Sequence, residues 1–248
     1  MKKYIIGNWK MNPSTFAEAD RLASRIQMLN RGSAEVVLCP PVYFLAQLSK
    51  KFPQLFWGAQ DCFWEASGAY TGEISSEYIR THGAAFVLLG HSERRMYLEE
   101  SDEMVAKKLR HVLKRKLTPV LCVGGGEGLR EPEQCLAAAR IQLTTAVRGI
   151  PGKILAGGRI IIAYEPTWAI GTGRPATSKH IAAAASLIRE QISSHYGTII
   201  ADGTPVLYGG SVNASIVPKL KKKSNLQGYL VGGASLNALE FSKIIELS

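Results

Sequence analysis

"RIIIAYEPTWAIGTGRPATS", from Arg159 to Ser178, is the stretch whose reading decides the fold. It opens as a continuous run of β-branched and small apolar residues, the pattern of a strand buried on both faces, and ends on a carboxylate, Glu165. Pro166 and Trp168 come next, then a small-residue segment from Ala169 to Gly173, then Arg174 and Pro175. Thr177 or Ser178 can cap a helix, and "TSKHIAAAASLIREQISSHYG" has helical character up to a stop at Gly197. Strand, loop and helix in that order make one β/α unit.

The same unit recurs along the chain. Strands are expected at "YIIGN" (4–8), "VVLC" (36–39), "LFWGAQ" (55–60), "AFVLLG" (85–90), "PVLCVG" (119–124), "IIIAYE" (160–165), "PVLYGG" (205–210) and "GYLVGG" (228–233). Helical segments lie between them, such as "SDEMVAKKLRHVLKRK", where Ser101 can cap the first turn and Asp102 and Glu103 favour its positive end. Eight β/α units in 248 residues, with no long linker, predict a single-domain (β/α)8 TIM barrel over residues 1–248. The rival is an open doubly wound sheet with "VGGGEG" (123–128) as a dinucleotide loop, but that cluster lacks the GxGxxG spacing because position 129 is Leu.

Composition agrees with an ordinary globular chain: 46% of residues are hydrophobic and 20% charged, enough apolar mass for a core. "MKKYIIGNWKM" has only a short apolar run before Gly7 and Asn8, so the start reads as mature sequence rather than a signal peptide. No apolar stretch approaches the ~20 residues that span a bilayer. A cytoplasmic protein without a membrane partner is expected. Cys39, Cys62, Cys122 and Cys135 lack metal-ligand spacing and are expected to be reduced thiols. The net charge of +10 suits either a nucleic acid or a small phosphorylated substrate. The densest basic run, "KLKKKS" (219–224), reads as a solvated helix end, with cations where the helix dipole is negative.

Barrel active sites form at the C-terminal ends of the strands, so polar residues there are the candidates. Asn8 and Lys10 in "GNWKMN" are two apart and point to one side of an extended chain, so Lys10 is either a fixed positive charge in the barrel mouth or a solvated loop lysine. His91 opens "HSERR" after the fourth strand, as a site residue or as a satisfied structural histidine. Glu93, Arg94 and Arg95 behind it could pair with Lys10 and Glu165. Glu165, an acid ending an apolar strand, is either a structural ion-pair partner or, better suited to a barrel mouth, a general base. The tips "YGGSVN" and "VGGASL" offer Ser211, Gly232 and Gly233 as phosphate-binding or as plain turn residues. The segment after Glu165 reads as a lid or as an ordinary β/α loop.

Together "GNWKMN", "GAYTGEIS", "GHSERR", "AYEPTWAIGTG", "YGGSV" and "VGGASL" resemble the triosephosphate isomerase family in order and spacing over essentially the whole chain. The resemblance implies interconversion of dihydroxyacetone phosphate and D-glyceraldehyde 3-phosphate, a step of glycolysis and gluconeogenesis. It implies Glu165 as base, His91 as a neutral electrophile, as established for the family, and Lys10 as electrostatic stabiliser. It further implies Asn8 as a hydrogen-bond donor, Glu93 as a supporting residue, and the N–H groups of Gly171, Ser211, Gly232 and Gly233 as the phosphate grip. No metal or organic cofactor is implied, because the carbonyl already acidifies the proton removed. "DCFWEASGAYTGEIS" (61–75) resembles the family's interdigitating loop, with Thr71 reaching a partner subunit in a homodimer. Its aromatics Phe63, Trp64 and Tyr70 are expected to be exposed in a monomer.

The chain departs from the family pattern in three places. Gly125 stands where an acid usually follows the Cys-hydrophobic-Gly run, with Glu127 two positions later, which is expected to loosen the local network. Thr167 stands where Val is common. Pro175 occupies the second hinge, where it is expected to restrict torsions. A different phosphate-binding barrel enzyme, or a catalytically silent phosphate- or nucleic-acid-binding protein, is the competing reading.

Overall fold

The computed structural model describes residues 2–29, 31–170, 176–222 and 225–248. Strands β1 (Lys3–Asn8), β2 (Ala34–Cys39), β3 (Phe56–Ala59), β4 (Phe86–Leu89), β5 (Thr118–Val123), β6 (Ile161–Tyr164), β7 (Val206–Tyr208) and β8 (Gly228–Val231) pair in chain order, all parallel. β8 returns to β1 through pairs such as Ile5 with Tyr229, and the sheet closes. The chain is a single-domain (β/α)8 barrel. Strand ends fall within two residues of those expected. The excess lay mostly at the glycine tips, which leave the sheet to form turns.

Helices α1 (Phe16–Gln27), α2 (Val42–Lys51), α3 (Ser76–Thr81), α4 (Ser92–Tyr97), α5 (Asp102–Lys114), α6 (Pro132–Val147), α7 (Gly152–Leu155), α8 (Ser178–Tyr196), α9 (Thr198–Gly203), α10 (Val217–Lys221) and α11 (Ala238–Leu247) fill the connections. Ser101 caps α5 by accepting the Met104 N–H at 3.2 Å, and Thr177 rather than Ser178 caps α8 through the His180 N–H. α8 stops at Gly197, whose φ of 85° lies where a β-carbon is disfavoured. The basic run is a helix end, with Lys219 and Lys221 in the last turn of α10; Lys223 and Ser224 lie outside the described residues.

Alternation along the strands explains the continuous apolar runs. Tyr4, Ile6, Val37, Phe86, Leu88, Val120, Cys122, Ile161, Ala163, Leu207 and Leu230 form one buried cluster made only of strand residues, which fills the barrel interior. Their neighbours Ile5, Leu38, Val87, Leu121, Ile162, Tyr164, Tyr208 and Val231 belong to a second cluster shared with the helices. Both faces are buried, so both parities are apolar. The same parity carries past the strand ends: Ala163 points in and Tyr164 out, so Glu165 points in. All four cysteines are free and buried. No helix among the described residues is long and apolar enough to cross a membrane.

Candidate active site

A cavity of about 270 Å³ opens at the C-terminal rim, lined by Asn8, Lys10, His91, Glu165, Ser211, Gly232 and Gly233 among others. A wider groove of about 900 Å³ runs outside the barrel between α1 and the start of α11, and none of these strand-end residues lines it.

Glu165 is 1% exposed. Its Oε2 accepts the Ser92 N–H at 2.9 Å, and its Oε1 lies 3.2 Å from His91 Nε2 without the alignment of a hydrogen bond. His91 caps α4: its Nδ1 accepts the Glu93 N–H at 3.2 Å. A nitrogen that accepts carries no proton, so the ring proton sits on Nε2, the atom facing Glu165. Below them, burial first and the Glu165 charge second push the Cys122 thiol well above its ordinary range, so it stays protonated beside the carboxylate. Gly209 makes the arrangement possible: a β-carbon there would stand 2.9 Å from Glu165 Cγ.

Lys10 has a φ of 53°, in the left-handed region that non-glycine residues seldom occupy. Two side chains hold it there. Asn8 Oδ1 accepts the Lys10 N–H at 3.0 Å, and Gln60 Nε2 donates to the Lys10 carbonyl at 2.7 Å and to the Cys39 carbonyl at 2.9 Å. The Lys10 ammonium pairs with Glu93, which links it to the His91 end of the cavity. Arg94 and Arg95, grouped with these residues in the sequence, turn away. Arg94 reaches Asp61 and Glu100, which also hold the buried Lys108, and Arg95 pairs with Asp102. Strand-end placement picks out a cluster, but the helical turn of α4 sends successive side chains in different directions. Gln60 was missed, although it ends a strand as Asn8 and Glu165 do.

On the opposite wall, the Ser211 N–H and hydroxyl both donate to the Ala169 carbonyl, at 3.1 Å and 2.6 Å. Gly232 and Gly233 begin the 3-10 turn Gly233–Leu236, and a β-carbon on Gly232 would lie 3.4 Å from Lys10 Cε. The lid reading falls partly outside the described residues, which exclude Gly171, Thr172, Gly173, Arg174 and Pro175. On one side of these five stands the 3-10 turn Thr167–Ala169, and on the other Ala176, whose N–H donates to the Tyr208 hydroxyl at 3.1 Å. The loop carrying Thr71 differs from expectation in one respect. Phe63 is buried, stacked on Trp64, and only Tyr70 of the three aromatics is exposed. Among the described residues, no group of three or more His, Cys, Asp or Glu could hold a metal ion.

A family model described as Triosephosphate isomerase matches residues 3–248. The chain belongs to the triosephosphate isomerase family. A triosephosphate isomerase of Alkaliphilus oremlandii (strain OhILAs) is 40% identical over 246 residues, 98% of each chain. That of Thermoanaerobacter sp. (strain X514) is 42% identical over 244 residues, 97% of each. That of Mycobacterium avium (strain 104) is 37% identical over 254 aligned positions, covering 100% of this chain and 97% of the relative.

Beside the site, this member of the triosephosphate isomerase family carries a histidine under the 167–169 turn. His180 Nε2 is 2.6 Å from the Tyr164 hydroxyl, and its ring meets Trp168 edge-on at 5.7 Å. Burial lowers its proton affinity. Below its ordinary value of 6.5 the unfolded chain therefore takes up a proton that the folded ring resists, and stability falls as the pH drops through that window. Thermal midpoints measured from pH 7.5 down to 5 are expected to fall less steeply in His180→Asn than in the unchanged protein; parallel slopes would show that His180 does not contribute.

Proposed function

We propose that this chain interconverts dihydroxyacetone phosphate and D-glyceraldehyde 3-phosphate through an enediolate. The observation that carries the reading is the meeting of three groups in one small cavity: the buried Glu165 carboxylate, the Nε2–H of His91 and the Lys10 ammonium. Glu165 takes a proton from the carbon beside the carbonyl and returns it to the neighbouring carbon. The His91 Nε2–H hydrogen-bonds the two substrate oxygens in turn, giving a proton to one and recovering it from the other. Lys10 stabilises the negative charge that develops on them, Asn8 donates beside it, and Glu93 fixes the ammonium.

The N–H groups of Ser211, Gly232 and Gly233 bind the substrate phosphate, joined by Gly171 when the loop after Glu165 closes. Closure keeps water from the enediolate, which can otherwise expel its phosphate. No step calls for a metal or an organic cofactor. The protein works in the cytoplasm as a homodimer without nucleic-acid partners. The exposed run from Ser67 to Glu73, with Tyr70 and Thr71 within it, supports a loop free to reach a second copy. Light scattering is expected to give twice the 27.0 kDa chain mass.

Isomerisation of glyceraldehyde 3-phosphate in D₂O tests the chemistry. A proton relayed through one carboxylate exchanges with solvent, so dihydroxyacetone phosphate should form with deuterium on the carbon that gains hydrogen. Labelled product is expected to be lost in Glu165→Gln, and deuterium incorporation at an undiminished rate in that variant would remove the role given to Glu165.

A further inference from the structure

Gly125 and Thr167, the two described departures from the family pattern, are tied together in space. The Gly126 N–H donates to Thr167 Oγ1 at 2.9 Å, so the turn just past Glu165 is held by the loop after β5. That loop is itself held. Gln142, buried on α6, donates from Nε2 to the Gly125 carbonyl at 2.8 Å and accepts the Gly124 N–H on Oε1 at 2.7 Å. Gly125 meanwhile packs so closely that a β-carbon on it would lie 2.5 Å from Ser92 Cβ and 3.2 Å from the Glu165 carbonyl oxygen. An amide from the helix layer thus grips the β5 loop, and the β5 loop reaches Glu165 from two directions: it packs close to the side chain of Ser92, whose N–H holds the carboxylate, and it bonds the hydroxyl of Thr167, two residues past Glu165.

A reaction that moves a proton between two carbons needs the carboxylate held to a fraction of an ångström. With no acid at position 125, the fixing comes from hydrogen bonds to main chain. We propose that the Gln142–Gly125–Gly126–Thr167 chain orients Glu165, which makes Thr167 and Gln142 positioning residues for its proton transfer. The proposal rests on the reading of Glu165 as base. Thr167 does not touch the reacting atoms; it acts by limiting rotation of the backbone two residues past the carboxylate. Valine has nearly the shape of threonine and cannot accept the Gly126 N–H, whereas serine can.

The test compares Thr167→Val and Thr167→Ser with the unchanged dimer, reading kcat and KM for glyceraldehyde 3-phosphate and the hydrogen-exchange rate of the Gly126 amide. In Thr167→Val, kcat is expected to fall about five-fold, in line with one ordinary hydrogen bond, with KM within about two-fold and faster Gly126 exchange. Thr167→Ser should restore all three. Unchanged Gly126 exchange in the valine variant would show that the hydroxyl does not hold the loop, and would overturn the proposal. Faster exchange with unchanged kcat, or a loss that falls on KM alone, would overturn it too, because the contact would exist without orienting the base. If the unchanged protein shows no turnover, the reading of Glu165 falls and the proposal falls with it, while the exchange rates still report the contact.

Discussion

Glu165→Gln is expected to lower turnover of glyceraldehyde 3-phosphate by roughly 10²- to 10⁴-fold, the range associated with losing a positioned general base. The amide keeps the size of the carboxylate, and its oxygen can still accept the Ser92 N–H that Oε2 accepts now at 2.9 Å. Folding should therefore survive, with a thermal midpoint close to that of the unchanged protein, and KM should move far less than kcat. The loss is of an atom able to take a proton from carbon. A variant that kept a tenth or more of the original kcat would place the base elsewhere.

Gly125→Ala is expected to cost roughly 10- to 100-fold in kcat, although it adds a single carbon and touches no substrate. The added carbon has nowhere to go. Ser92 Cβ, 2.5 Å away, is one bond from the main chain and fully buried, so relief requires moving the segment whose N–H holds Glu165. Overpacking of this kind also costs about 1–3 kcal/mol of stability, read as a lower thermal midpoint. Replacing Gly125 with the acid usual in the family meets the same obstacle, so a return to the common residue should impair this chain. A Gly125→Ala variant within two-fold of the original kcat would show that the close fit against Ser92 is dispensable.

The barrel was legible because its strands are buried on both faces, which leaves uninterrupted apolar runs, and because a carboxylate ending such a run has few explanations. Parity alone aims Asn8 and Glu165 inward. The support behind them was not legible. Ser92 contributes a main-chain N–H, which any residue could supply, and Gln142 looks from the sequence like one more polar residue on a helix. Lys10 and Glu93 meet across 83 positions, a distance that periodicity cannot bridge, and nothing in "GNWKMN" announces the left-handed backbone at Lys10. Arg94 and Arg95 stand beside Glu93 in the chain yet serve Asp61 beyond β3, Glu100 just before α5 and Asp102 at its start. Local pattern predicts which face a residue takes, and the partner on that face depends on the packing of other units.

The Ala169 carbonyl, which now takes both hydrogens of Ser211, acts as an internal competitor for the place given to phosphate. A phosphate arriving there exchanges one acceptor for another instead of filling an unmet need, so the net gain from that contact is small. The benefit comes at departure. On the proposed reading, a departing product returns the serine to a carbonyl already within reach, so no donor is stranded without a partner.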